Sequence, residues 1–131
     1  MFHTSTRILL VDDMPTVRKL VLKVIQDLGF TQIEESSNGG LAWETIQNAN
    51  PPIGIVISDL SMPHSSGVDL IKRIRSEARF KSLPVLIMYA EFEKKEAELA
   101  LKAGASELIV KPFQQEQLKE KLTAMHTKFS S

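Results

Sequence analysis

The amino-acid sequence predicts an α/β fold, in which a central parallel β-sheet carries α-helices on both faces. Short apolar runs rich in Val, Ile and Leu recur along the chain without alternating polar residues, as is typical of strands buried on both faces. Between these runs, apolar residues recur at spacings of three and four, as is typical of amphipathic helices. The alternation of strand and helix occurs about five times, and such (βα)5 chains form parallel sheets through right-handed crossovers.

The strands are predicted from the apolar runs themselves. Four of the runs are clear, and they comprise residues 8–11, 53–57, 85–89 and 108–110. A weaker signal at residues 33–36 predicts one further strand, which would be the second in chain order.

The helices are predicted from apolar spacing and from the residues that begin and end helices. Pro15 suits the first turn of the first helix, and Gly29 suits its end. The apolar face of this helix comprises Val17, Leu20, Val21, Val24, Ile25 and Leu28. Residues 38–40 begin a second, shorter helix, whose apolar side includes Leu41 and Ile46.

Three further helices follow in the second half of the chain. The third comes after Gly67, and the fourth is more polar and reaches Gly104. The charged run at residues 91–98 is interpreted as a solvated face of the fourth helix. The fifth helix carries Leu118, Leu122 and Met125 on its apolar side.

Composition excludes several classes of function. The chain has 131 residues, so we expect one domain spanning residues 1–131, with a folded core at about 6–127 and no output domain. It has no cysteine, which excludes disulfides, thiolate metal sites and cysteine nucleophiles. Sixteen basic residues balance sixteen acidic ones, so no nucleic-acid or membrane partner is indicated. Without a signal peptide or a long apolar run, the expected location is the cytoplasm.

Charged side chains follow the predicted strands. Asp12 and Asp13 come directly after the first strand, Asp59 follows the third, and Lys111 follows the fifth. In doubly wound sheets the chemistry lies at the carboxyl ends of the strands. If the first and third strands are neighbours, three carboxylates converge there, and they cannot all stay ionised without a cation. Carboxylate oxygens suit Mg²⁺, and Lys111 adds a positive charge on the other flank.

A site of carboxylates, Mg²⁺ and a lysine suits phosphoryl transfer, because that reaction needs positioned groups and neutralised phosphoryl oxygens. One carboxylate can act as nucleophile and become an acyl phosphate. Asp59 is the predicted nucleophile, since it stands alone at a strand end while Asp12 and Asp13 form a pair suited to a metal. The Asp pair has a simpler interpretation, an N-cap for the next helix. The joint occurrence of all these residues at strand ends favours the site.

Three motifs at the predicted strand ends resemble those of response-regulator receiver domains, especially the stand-alone chemotaxis regulators of the CheY type. The motifs are Asp-Asp, Asp-x-x-Met-Pro-x-x-x-Gly and Lys-Pro-Phe. The likeness covers nearly the whole chain, through the segments ILLVDD, VISDLSMPHSSG, LPVLIMYAE and AGASELIVKPF. The resemblance implies a flavodoxin-like doubly wound fold, with strands in the order 2-1-3-4-5.

The resemblance implies a role for each residue of the site. Asp59 would be the phosphoacceptor and also a metal ligand. Asp13 would bind Mg²⁺ directly and Asp12 through water, while the backbone carbonyl of Ser61 would be a further ligand. Lys111 would contact the phosphoryl group.

Three further positions match the family pattern. The Lys111–Pro112 bond is cis in the family, which aims the lysine at the site, and a cis bond is inexpensive only before proline. Gly67 would allow the turn into the third helix. Ala90 matches the small residue that keeps the phosphoryl pocket open.

Two positions depart from the family pattern. Tyr89 stands where the family has Thr or Ser, whose hydroxyl bonds the phosphoryl group, and Leu108 stands where the family has Tyr or Phe. The phenol of Tyr89 is too far from the backbone to make the same contact. In one interpretation Tyr89 packs near Leu108 or points to solvent; in the other it lies over the site and alters phosphoryl lifetime or donor access. These two changes put in doubt the coupling of phosphorylation to the output face.

The resemblance also implies partners. A histidine kinase or phosphotransfer protein would donate the phosphoryl group, and a target protein would bind the face made by the fourth helix, fifth strand and fifth helix. The protein would be a monomer and would catalyse only its own phosphorylation and dephosphorylation.

Three alternatives remain. A degenerate receiver would bind partners without phosphorylation, as the changes at Tyr89 and Leu108 suggest. A Mg²⁺-dependent aspartyl-phosphate hydrolase commonly needs a second acid beside the nucleophile, where this chain has Ser61. An FMN-binding flavodoxin is disfavoured because DDMPTV is acidic where a phosphate-binding loop belongs. His64 is interpreted as an exposed loop residue near the site.

Overall fold

The computed structural model describes residues 1–62 and 65–130 of the chain. Pro63 and His64, from the motif after Asp59, lie outside this part of the chain, so the predicted exposure of His64 stays a prediction. Among the described residues, no helix is both long enough and apolar enough to span a bilayer.

A parallel sheet of five strands forms the centre of the described structure. The strands are β1 (Ile8–Val11), β2 (Ile33–Ser36), β3 (Ile55–Asp59), β4 (Val85–Ala90) and β5 (Glu107–Lys111). Their order is β2-β1-β3-β4-β5, and every neighbouring pair is parallel. The predicted fold class and strand order are therefore confirmed.

Within the same residues, an α-helix follows each strand. The helices are α1 (Pro15–Asp27), α2 (Gly39–Asn48), α3 (Gly67–Ser76), α4 (Lys94–Ala103) and α5 (Gln115–Ser130). Asn38 caps α2 by accepting the N–H of Leu41 at 2.8 Å, and Ser66 caps α3 by accepting the N–H of Asp69 at 3.1 Å. After α4, Gly104 has a φ of 121°, a conformation that favours glycine.

The two faces of the sheet are covered by different helices. Leu9, Val11 and Val56 face one side, where they pack against α2, α3 and α4. Ile8 and Leu10 face the other side, where they pack against α1 and α5. Every residue of β1 is fully buried, which explains why its sequence is apolar without alternation.

The boundaries of three strands differ from the prediction, and in β4 the difference is one residue, since the strand continues to Ala90. β3 was expected at residues 53–57 but extends over Ile55–Asp59, because backbone pairing with β1 and β4 continues through two polar residues. Both of these, Ser58 and Asp59, are buried. β5 likewise continues to Lys111, which pairs with Ala90. The apolar run in the sequence therefore misses the polar end of the strand, although that end is both buried and hydrogen-bonded.

Three short elements were not predicted. A two-residue antiparallel pair joins Ser61–Met62 to Ser65–Ser66. Single turns of 3-10 helix occupy Ala78–Phe80 and Glu91–Glu93. The last of these takes up the start of the charged run that was assigned to the face of the fourth helix.

Candidate functional site

The carboxyl ends of β1, β3 and β5 bring the predicted site residues together. Asp12 and Asp13 follow β1, while Asp59 and Lys111 end β3 and β5. Because β1 and β3 are neighbours, one oxygen from each of the three carboxylates lies within 4.8 Å of the others. Lys111 approaches from beyond β4, and its Nζ lies 2.8 Å from Asp59 Oδ1. The structure thus assembles one acidic cluster with a lysine on its flank.

Asp12 is the most deeply buried member of the cluster, with none of its surface exposed. Its Oδ1 accepts the N–H of Met14 at 3.0 Å, but Oδ2 is buried and has no hydrogen-bond partner among the described residues. Burial raises the pKa of Asp12, although the Met14 N–H and the charge of Lys111 oppose the rise. An ionised oxygen without a donor is costly in a protein interior, so this atom calls for a cation.

The capping interpretation of the Asp pair is wrong. The residue at the N-cap of α1 is Met14, and no side chain donates or accepts a capping hydrogen bond there. Asp12 and Asp13 therefore precede the helix without occupying its N-cap, and Oδ2 of Asp12 and the carboxylate of Asp13 accept no hydrogen bond from a described residue.

Asp59 is buried, with 4% of its surface exposed, and its two oxygens have different surroundings. Oδ1 accepts hydrogen bonds from Lys111 Nζ at 2.8 Å and from the Leu60 N–H at 3.0 Å. No described residue donates to Oδ2. Burial raises the pKa of Asp59, and the hydrogen bond and charge of Lys111 offset only part of the rise. The carboxylate is held firmly through one oxygen while the other is left open to a ligand or substrate.

The residues present fit a divalent cation. The cluster offers three carboxylates and one lysine, a formal charge of −2 when all are ionised. The unpaired Oδ2 of Asp12 points to a missing positive partner. An all-oxygen donor set of this kind suits Mg²⁺ better than the softer transition metals. Asp13, which is half-buried, completes the carboxylate set at the solvent side.

The remaining predicted residues surround this cluster. Ser61 lies two residues beyond Asp59 and is exposed. The Lys111–Pro112 peptide bond is cis, as the resemblance implied. Ala90 is half-buried and pairs with Lys111 in the sheet.

Tyr89 and Leu108 lie on the same face of the sheet. Both are half-buried and pack against the core cluster covered by α2, α3 and α4. No hydrogen bond joins the phenol of Tyr89 to any described residue. This arrangement supports the packing interpretation of the two departures, in which Tyr89 fills space beside the sheet.

Two residues of the site were missed by sequence reasoning. Arg18 on α1 donates from Nη1 to the backbone carbonyl of Asp12 at 2.6 Å and from Nε to Glu35 at 3.0 Å. Glu93, which was assigned to a solvated helix face, turns back and accepts hydrogen bonds from the Ala90 N–H and from the hydroxyl of Ser61. The spacing from Ala90 to Glu93 is that of the carboxylate half of a capping box, but alanine has no side-chain oxygen, so the sequence lacks the full motif that would have revealed this contact.

Comparisons with known proteins agree with the geometry. The sequence profile of the response regulator receiver domain matches residues 8–123. The chain is 40% identical over 116 residues to chemotaxis protein CheY1 of Helicobacter pylori, covering 88% of this chain and 93% of that protein. It is 35% identical to the chemotaxis protein CheY homolog of Campylobacter jejuni, covering 88% of each.

Solved structures give the same result. Chemotaxis response regulator CheY4 of Vibrio cholerae has a TM-score of 0.81 at 29% identity, covering 92% of this chain and 98% of that chain. A putative response regulator of Chloroflexus aurantiacus has a TM-score of 0.86 at 25% identity, covering 94% and 98%.

Proposed function

The chain belongs to the response regulator receiver family, and we propose that it accepts a phosphoryl group on Asp59 in a Mg²⁺-dependent reaction. The donor is the phosphohistidine of a histidine kinase or of a phosphotransfer protein. The phosphorylated protein then binds a target protein. Since the relatives in Helicobacter pylori and Campylobacter jejuni are named chemotaxis proteins, the proposed pathway is chemotaxis.

The surroundings of Asp59 support a nucleophilic role for its Oδ2. Lys111 and the Leu60 N–H both engage Oδ1, which orients the carboxylate and leaves Oδ2 free of described donors. In the proposed step Oδ2 forms a bond to phosphorus while the bond from phosphorus to the donor histidine nitrogen breaks. The electron pair of that bond stays on the nitrogen, and Lys111 offsets charge on the transferred group.

Four residues would hold the metal ion in this proposal: Asp12, Asp13, Asp59 and, through its backbone carbonyl, Ser61. When bound, Mg²⁺ neutralises charge on the phosphoryl oxygens. The observation that most directly supports the proposal is the meeting of three carboxylates within 4.8 Å around a buried oxygen that lacks a donor.

The target is proposed to bind the face made by α4, β5 and α5. Phe92 just before α4 is 89% exposed, and Leu99 on α4 is 55% exposed. Large apolar side chains this exposed are suited to contact a partner. The protein is proposed to act on this target as a monomer.

A second function has one specific observation in its favour. Tyr89 and Leu108 pack against the core cluster covered by α2, α3 and α4, and neither is the residue type that the family has at its switch positions. A receiver that binds its target without phosphorylation would need no such switch. The acidic cluster would then have no signalling role.

Mass spectrometry of the intact protein distinguishes the two functions. We expect the wild-type protein, incubated with Mg²⁺ and acetyl phosphate, to gain one phosphoryl group. Asp59→Asn and a sample with EDTA should gain none. Asp27→Asn is the matched control, because Asp27 is an exposed aspartate at the end of α1 that is not part of the acidic cluster, and this variant should gain the group like the wild type.

If Asp59→Asn still gained a phosphoryl group, the group would be on another residue, which would contradict the proposal. No gain in the wild type, with Mg²⁺ binding shown by calorimetry, would favour the phosphorylation-independent function.

A further inference from the structure

The carboxylate of Glu93 connects the two chain segments that flank Asp59. Its Oε1 accepts the backbone N–H of Ala90 at 2.8 Å, and its Oε2 accepts the hydroxyl of Ser61. Ser61 lies just after β3, and Ala90 is the last residue of β4. Glu93 itself is half-buried at the end of the 3-10 turn before α4. A negatively charged group is therefore held beside the proposed phosphoacceptor by two hydrogen-bond donors.

The Ala90 N–H faces the site because it lies just beyond the end of the β3–β4 ladder. The last ladder bond runs from the Leu60 N–H to the Met88 carbonyl at 2.9 Å. Alternate N–H groups of a strand point to the same neighbour, so the next one directed toward β3 belongs to Ala90. The Leu60 carbonyl, which would accept it in a longer ladder, accepts the Gly67 N–H at 2.7 Å. Glu93 supplies the acceptor instead.

Part of this arrangement has a simpler explanation. The contact from the Ala90 N–H to Glu93 is that of a capping box, which satisfies a free donor at the start of a helix. The contact to Ser61 is not part of a capping box, because it joins residues 32 apart in the sequence. Glu96, in the first turn of α4, makes no side-chain hydrogen bond with a described residue. An acidic residue at the start of α4 therefore does not by itself form a hydrogen bond like that between Glu93 and Ser61.

We propose that Glu93 is an internal anion that phosphorylation of Asp59 displaces. The proposal rests on the function proposed above. A phosphoryl group carries about two negative charges near neutral pH, and its oxygens need donors of the kind that Ala90 and Ser61 offer. Two anions that compete for the same two donors repel each other. The phosphoryl group therefore takes over these donors, and the Glu93 carboxylate leaves them.

Displacement of Glu93 changes the turn that presents Phe92. This side chain is 89% exposed and lies inside the 3-10 turn Glu91–Glu93. Once Glu93 is released, the turn loses its connection to Ser61 and its internal contact with Ala90. Phe92 is then presented differently at the proposed target face. Phosphorylation reaches that face by this route without a contribution from Tyr89.

Three variants test the proposal. Glu93→Gln keeps an acceptor for the Ala90 N–H, so the turn still forms, but it removes the charge. Ser61→Ala removes one donor and leaves the charge of Glu93 and the Ser61 backbone carbonyl in place. Glu96→Gln is the matched control, since it removes an exposed carboxylate nearby in the sequence that makes no such contact.

The first measurement is the rate of phosphorylation by acetyl phosphate with Mg²⁺. In this step Asp59 Oδ2 bonds to phosphorus, the bond from phosphorus to the acetate oxygen breaks, and acetate leaves with the electron pair. We expect Glu93→Gln to react about 3- to 10-fold faster than the wild type, because one repelling charge is removed. Glu96→Gln should stay within about twofold. Ser61→Ala is judged by the second measurement, because it removes a donor to the phosphoryl group together with the connection to Glu93.

The second measurement is amide hydrogen exchange at Phe92 and Glu93, followed by NMR. Exchange should be faster in Ser61→Ala than in the wild type before any phosphate is added, and it should rise in the wild type on phosphorylation. The proposal would be overturned if Glu93→Gln and Ser61→Ala both kept the wild-type phosphorylation rate and the wild-type rate of amide exchange. It would also be overturned if Glu96→Gln accelerated phosphorylation as much as Glu93→Gln does. If the wild type gains no phosphoryl group, both proposals fail. If it gains one and Glu93→Gln behaves like the wild type, the role of Glu93 alone fails.

Discussion

Gly67 begins α3 where the backbone passes close to Asp59. A Cβ at this position would lie 2.8 Å from the carbonyl oxygen of Asp59 and 3.2 Å from the Cα of Leu60. These are backbone atoms, so they cannot rotate away as a flexible side chain would. The resemblance implied that Gly67 permits the turn into the helix, and the structure gives the reason as the close approach of two backbone segments.

Gly67→Ala is therefore expected to displace the segment that carries Asp59. We expect a loss of about 1–3 kcal/mol in the free energy of unfolding, typical of inserting an atom into a tightly packed position, and slower phosphorylation by acetyl phosphate. Urea unfolding and intact-mass kinetics measure the two effects. Gly40→Ala is the control, because its Cβ would meet only the side chain of Asn38 at 3.4 Å. If Gly67→Ala and Gly40→Ala had the same free energy of unfolding, the backbone near Asp59 would be able to accommodate the added Cβ without loss of stability.

The residues that could be predicted from the sequence share one property. Asp12, Asp59 and Lys111 each stand at or directly after an apolar strand, so the position of the strand also gives the position of the charge. Glu93 has no such marker. It lies in a run of charged residues, and its turn toward Ser61 depends on tertiary geometry that local spacing does not encode.

The contact between β5 and α5 includes a small network of charges. Glu107 on β5 lies 3.4 Å from Lys121 Nζ and 3.2 Å from Lys128 Nζ, and both lysines are on α5. Lys128 also donates to the Ser106 carbonyl at 2.6 Å. Burial alone would raise the pKa of Glu107, but the hydrogen bonds and charges of Lys128 and Lys121 outweigh it and lower the pKa below the ordinary 4.5.

This network should make the packing of α5 against β5 depend on pH. A carboxyl group whose pKa is lowered by folding stabilises the folded state fully above its unfolded pKa, and the contribution is lost as the pH falls through the folded pKa. We expect Glu107→Gln to be less stable than the wild type by up to about 1 kcal/mol at neutral pH. The difference should shrink as the pH falls below 4.5 and should vanish once the pH lies below the lowered pKa of the folded state, where the wild-type carboxyl is also neutral.

Urea unfolding across that pH range measures the effect. Glu98→Gln serves as control, since Glu98 is exposed on α4 and forms no ion pair with a described residue. A Glu107→Gln difference that stays constant with pH would contradict an electrostatic origin.

At the level of helices and strands, prediction succeeded where apolar residues and backbone hydrogen bonding coincide. The run at 8–11 is fully buried and fully paired, and its boundaries match β1. β3 was placed two residues early, because Ile53 is buried outside the ladder while Ser58 and Asp59 are polar inside it. Apolarity reports burial, whereas a strand is defined by backbone pairing. The short pair at Ser61–Met62 and Ser65–Ser66 has no apolar pattern and could not be predicted this way.

For the molecule as a whole, the acidic cluster opposes folding in the absence of a cation. The pKa values of Asp12 and Asp59 are both raised, chiefly by burial, which means that ionising them favours the unfolded chain. Removing one charge should therefore stabilise the metal-free protein. Mg²⁺ should do the same by binding the folded state alone.

Asp59→Asn is expected to melt at a higher temperature than the wild type in EDTA, by roughly 3–5 °C for a change on the order of 1 kcal/mol. The difference in melting temperature should become smaller as Mg²⁺ is added, because the wild type has one more carboxylate than the variant to bind the ion. Thermal denaturation in EDTA and across a Mg²⁺ titration measures both effects. A lower melting temperature for Asp59→Asn in EDTA would show that its ion pair with Lys111 outweighs the burial of the charge.

Asp59 and Lys111 are 52 residues apart in the chain, and Asp12 comes from a third strand. Asp12 meets Asp59 once β1 and β3 pair, but Lys111 reaches them only when β4 and β5 have joined the sheet. Contacts of such long sequence separation form late, because the chain must first close the intervening loops. A polypeptide still being synthesised, or one whose β5 has detached, presents Asp59 without its lysine. Under the proposed function, the ability to accept a phosphoryl group therefore arises only with the finished sheet.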